Sequence, residues 1–75
     1  MPLINVKLIE GVCTPAQKQE MIRQLTDTLV AIEGENVRPY THVIIEEAKS
    51  GDWGIAGNPL TTKDVQTLIA SQPAN

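Results

Sequence analysis

Two short β-forming runs bracket one long segment with a helical stripe, and that order constrains this chain more than any other feature. Leu3–Ile9 (LINVKLI) alternates, with Ile4, Val6 and Leu8 on one side and Leu3, Asn5, Lys7 and Ile9 on the other. Glu10 and Gly11 interrupt it. Thr14 then opens a helix. Pro15 takes the first helical position, where its missing N–H costs nothing, and Gln17 stands at the capping-box spacing from Thr14. Met21, Leu25, Leu29 and Ile32 recur at i, i+4, i+8 and i+11, with Ile22 flanking, and Gly34 offers a stop, so the helix is expected over Pro15–Glu33. Asn36–Tyr40 reads as a connector, because Pro39 bars helix at Arg38. Thr41–Glu47 (THVIIEE) is the second strand. Strand, helix, strand is a βαβ unit, and a right-handed crossover makes its strands parallel.

Beyond it, Ser50–Gly57 (SGDWGIAG) reads as turns or a short hairpin. Thr61 caps a short C-terminal helix, with Asp64 near its positive end and Val65, Leu68 and Ile69 on its apolar side. Ser71–Asn75 should fray. The fold class is therefore α/β, a single domain over residues 1–75 with no internal repeat.

This inventory leaves a deficit. The chain has 75 residues, one cysteine and only two aromatics, Tyr40 and Trp53. A domain of ~60 residues buries only about 60% of its unfolded surface, and a lone cysteine allows no internal disulfide. One histidine and one cysteine argue against a structural zinc site. A single helix covers one face of a two-stranded sheet, which leaves the other face and the edges open. The chain is expected to be a homo-oligomer.

Charge narrows the partners. Six Lys+Arg against nine Asp+Glu give a net charge of −3, with a pI near 4.9. That balance disfavours nucleic acid and supplies no basic membrane anchor. No apolar run approaches the ~20 residues that span a bilayer, and MPLINVKLIE lacks the charged start of a signal peptide. A cytoplasmic location is expected.

Pro2 is the position with most chemical promise. Removal of Met1, favoured by a small second residue, would expose a secondary amine. An α-amino group titrates at ~7.7–8, and an apolar pocket or nearby cations would lower that value. The neutral amine could then serve as a general base, mounted at the start of a strand.

The ordered set of Pro2 opening a strand, IEG at 9–11, TPAQK at 14–18, VIIEE at 43–47 and GDWGIAG at 51–57 resembles the tautomerase superfamily, and is most similar to its short 4-oxalocrotonate tautomerase type. The similarity covers about residues 2–60. It implies a βαβ protomer ending in a β-hairpin, a homo-oligomer expected as a hexamer, no cofactor and no metal. It also implies an isomerase whose amino-terminal proline moves protons on a small carbonyl or enol substrate. On this resemblance Pro2 matches the catalytic proline, and Trp53 matches an aromatic wall of the pocket that is usually Phe.

Two departures stand out. The family's substrate-carboxylate arginine aligns with Val12, and its carbonyl-polarising arginine with His42. Valine cannot imitate the guanidinium fork. His42 could supply a donor in its place, and Arg38 is a second candidate that a neighbouring subunit could bring to the pocket. A typical dicarboxylate substrate is therefore not expected. Related readings keep Pro2 as the acid of a hydratase, dehalogenase or decarboxylase, or make the chain a non-catalytic oligomer that has lost the arginine clamp.

The remaining polar residues read as structural. Lys7 and Asn5 suit an interface, Cys13 a loop position, Glu46 and Glu47 opposite faces of a strand, and glycines 51, 54 and 57 hairpin geometry.

Overall fold

The structure, a computed structural model, describes residues 2–71. Its elements are β1 (Leu3–Ile9), α1 (Pro15–Glu33), a 3-10 helix (Glu35–Tyr40), β2 (His42–Ala48), β3 (Trp53–Ile55), β4 (Asn58–Leu60) and α2 (Thr62–Ala70). This is the expected βαβ arrangement followed by a hairpin and a short helix. The backbone forms two compact units. One takes the residues up to Lys7 together with Cys13–Glu46; the other takes Leu8–Val12 and the residues from Glu47 onward.

In the first unit β1 pairs with β2. The His42 N–H donates to the Pro2 carbonyl at 3.0 Å, and further along both strands the Asn5 side chain donates to Glu46. Start meets start, so the strands are parallel. The helix begins as its sequence dictates. Thr14 Oγ1 accepts from the Gln17 N–H at 3.1 Å while Gln17 Oε1 accepts from the Thr14 N–H at 2.8 Å, with Pro15 at the first position. It ends at Gly34, whose φ of 113° suits glycine and whose N–H donates to the Val30 carbonyl.

The packed face differs from the expected stripe. Val30, outside that stripe, is only 3% exposed, whereas Ile32 is 81% exposed in the last turn. Leu25, Leu29 and Ile32 line a groove with Ile4, which sets this helix edge beside the inner face of β1. Apolar spacing marks a broad arc of helix, and packing selects the margin that meets the sheet.

Two boundaries also move. The connector is a 3-10 helix from Glu35 to Tyr40, with Pro39 inside it; a residue without an N–H suits such a short piece better than an α-helical ladder. Thr41 closes it, donating its N–H to the Arg38 carbonyl and its hydroxyl to that of Val37. The second strand therefore starts at His42 and runs to Ala48.

In the second unit Ile9 is 5% exposed, and the Glu10 N–H donates to the Ala48 carbonyl at 2.8 Å. Strands β3 and β4 form an antiparallel hairpin with Trp53 opposite Leu60 and Ile55 opposite Asn58. Ala56 and Gly57 make the two-residue turn, both at positive φ (51° and 81°), as a type I′ turn demands. Thr61 and Asp64 form a complete capping box at α2. The first two turns of that helix are tied to the loop after β1: Thr62 Oγ1 donates to the Glu10 carbonyl at 2.6 Å, and Gln66 Nε2 to that of Gly11 at 3.0 Å. Val65 is half-buried, while Leu68 and Ile69 stay exposed. Past Ser71, the end expected to fray lies outside the described residues, as does Met1. Among the described residues no helix is long and apolar enough to cross a membrane.

Candidate active site

Pro2 directly precedes β1, and its carbonyl is fixed by the His42 N–H. Beside it opens a cleft of about 610 Å³ lined by Pro2, Glu33, Val37 and Tyr40. Each wall has a local cause. Glu33 is the last residue of α1, where Gly34 turns the chain. Val37 and Tyr40 lie three apart on the 3-10 helix, and residues at that spacing eclipse one another. Tyr40 is 55% exposed, so its ring rims the cleft while remaining accessible. Neither Glu33 nor Tyr40 stands out in the sequence by spacing or period; both depend on where the 3-10 helix returns the chain.

The other expected site residues are distributed differently. His42 is tied to Pro2 through the backbone, but its exposed side chain lies on the open sheet face with Ile44 and Glu46. That face also carries a polar cluster in which Glu46 accepts from Asn5 and pairs with Lys7 at 3.4 Å. Asn5, with Lys7 secondarily, holds the Glu46 carboxyl below its ordinary range. Arg38 shares the 3-10 helix with Val37 and Tyr40, yet its guanidinium is committed to Glu35 at 2.6 Å and Asp27 at 2.8 Å. Those two carboxylates, Glu35 first, raise its pKa further. Trp53 belongs to the second unit, half-buried at the start of β3. Val12 is half-buried in that unit too. Among the described residues no cluster of three or more His, Cys, Asp or Glu side chains could hold a metal ion.

A family model described as tautomerase enzyme matches residues 2–63. The chain belongs to the tautomerase family. A probable tautomerase of Staphylococcus aureus is 40% identical over 57 residues, covering 76% of this chain and 90% of the relative. The crystal structure of apo unfused 4-OT superposes with a TM-score of 0.70 at 32% identity, over 79% of this chain and 93% of its own. A 4-oxalocrotonate tautomerase homologue superposes with a TM-score of 0.69 at 26% identity, over 99% of this chain and all of its own. The tautomerase likeness thus reaches past the hairpin to the C-terminal helix, further than the motifs alone carry it.

Proposed function

We propose that the chain is a cofactor-free isomerase, a keto–enol or double-bond tautomerase, that uses Pro2 as general base and then acid. With Met1 removed, the Pro2 amine takes a proton from the carbon beside a carbonyl, or from an enol oxygen, and returns it to another carbon. A donor at the substrate oxygen stabilises the charge that develops there. His42 fills this role across a contact between subunits, since its side chain faces the open side of its own sheet. In the assembled oligomer Trp53 from a neighbouring chain walls the pocket, and Arg38 serves only if a neighbouring chain draws it from Asp27 and Glu35. The assembly is a homo-oligomer, expected as a hexamer, whose contacts cover the open sheet face.

The observation that carries this reading is Pro2 on the wall of a cleft with its backbone pinned to β2, at the residue where the family match begins. Intact mass of the native protein should show Met1 absent. Enol tautomerisation by Pro2→Ala should fall by about 10²–10⁴-fold, the usual worth of a positioned acid–base group. Equal rates, or a retained Met1 that makes the Pro2 nitrogen a tertiary amide, would sink the reading.

A further inference from the structure

The cleft beside Pro2 has an unusual charge for a site meant to hold an acid. Among the described residues its one charged lining side chain is Glu33. Glu33 has no ion-pair partner among the described residues, while the cation nearest in sequence, Arg38, is bound to two other carboxylates. Tyr40, the other polar wall, is a neutral donor. At the two positions where the resemblance implies carboxylate-binding and carbonyl-polarising arginines, the chain has Val12 and His42.

We propose that Glu33 is a specificity-determining residue that turns carboxylate-bearing substrates away from the Pro2 cleft, so that the site takes a neutral enol or carbonyl compound. The proposal rests on the reading of the Pro2 cleft as the substrate site. The physical basis is simple. A substrate carboxylate bound there would share the cleft with a like charge, and no guanidinium stands among the described lining residues to offset it. A neutral ketone or enol meets no such repulsion, and Tyr40, a phenol donor, lines the same cleft.

Binding can test this apart from turnover. Acetophenone and phenylglyoxylate are the same aryl ketone with a methyl group or a carboxylate on the carbonyl. Each would be titrated into the native, Met1-free protein while the amide signals of Val37 and Tyr40 are followed. Working at about pH 9, above the ordinary range of an α-amino group, keeps the Pro2 charge out of the comparison. Wild type should bind phenylglyoxylate about tenfold more weakly than acetophenone, and the gap should shrink several-fold in both Glu33→Gln and Glu33→Ser. Equal or tighter binding of phenylglyoxylate by wild type overturns the proposal. A gap unchanged in both variants does so too, as does failure of either ligand to shift those amides. The Pro2→Ala assay is separate: full turnover there with the binding gap intact would remove the proline chemistry and leave the charge selection standing.

Discussion

The two compact units are held by different forces. In the first, a 19-residue helix lies on a parallel strand pair, and its one buried side chain is Val30. Apolar packing does most of the holding, with a capping box at one end of the helix and a glycine at the other. In the second, Ile9 is the only buried residue described, and most of the order comes from backbone-directed hydrogen bonds: Thr62 to Glu10, Gln66 to Gly11, Ser50 to the Glu10 side chain, and the hairpin ladder. Packing tolerates small shifts of register and direction. A hydrogen-bonded turn fixes backbone angles residue by residue. The Pro2 cleft is built in the packed unit, while Trp53 is mounted in the hydrogen-bonded one.

Truncating Val30 tests the first half of that contrast and should have the largest effect. Val30→Ala removes two methyl groups from a site that is 3% exposed, which costs about 2–3 kcal/mol in transfer and cavity terms. Denaturant unfolding would measure it. A loss below about 0.5 kcal/mol, the size of an ordinary surface change, would mean that packing does not hold this unit.

The counterpart in the second unit is Gly11. Its φ is +79°, and a methyl group there would come 3.0 Å from the Thr62 methyl, beside the bond from Thr62 to Glu10. Gly11→Ala should destabilise by about 2 kcal/mol, chiefly from the left-handed backbone. Thr62→Ser keeps the hydroxyl and removes the methyl, so it should recover the steric part only. Complete rescue would show that crowding, not backbone angle, sets the cost.

The contrast between the units also explains what was legible in the sequence. Local devices read directly: Thr14, Pro15 and Gln17 start α1, Gly34 stops it, and Thr61 with Asp64 starts α2. Each depends on residues within four positions of one another. The βαβ order was legible for the same reason, since period 2 and period 3.6 are local signals. Val30 was not, because which margin of a helix is buried depends on where the sheet lies. Nor were Glu33 and Tyr40, which meet Pro2 only after the 3-10 helix turns the chain back, or the grip of Asp27 on Arg38 across eleven positions. Pro2 was found through chemistry and resemblance, and its cleft through tertiary structure alone.

The hairpin offers a gain in place of a loss. Ala56 holds a positive φ of 51° at the first turn position, where a type I′ turn prefers Asn, Asp or Gly. Ala56→Asn should raise stability by about 0.5 kcal/mol, a fraction of the left-handed penalty carried by alanine. A lowered melting midpoint would show that the turn is shaped by something other than its own backbone preference.

Acid titration probes the contrast at its smallest scale, through two exposed carboxylates. Asp64 in the second unit has its pKa lowered mainly by the Thr61 backbone N–H, and Glu46 in the first by Asn5 and then by the charge of Lys7. Both pKa values are depressed on folding, so each group stabilises the fold above its ordinary value, 3.8 for Asp64 and 4.5 for Glu46. That contribution is lost as pH falls through the lowered value. Melting midpoints of Asp64→Ala and Glu46→Ala should therefore lie below wild type at neutral pH and approach it under strongly acidic conditions. Salt should separate them. At about 1 M the screening length is near 3 Å, so the part of the Glu46 effect owed to Lys7 should shrink, while the Asp64 cap, anchored to a backbone N–H, should keep most of its effect. Equal salt sensitivity of the two variants would break the distinction between a charge-tuned surface pair and a backbone-directed cap.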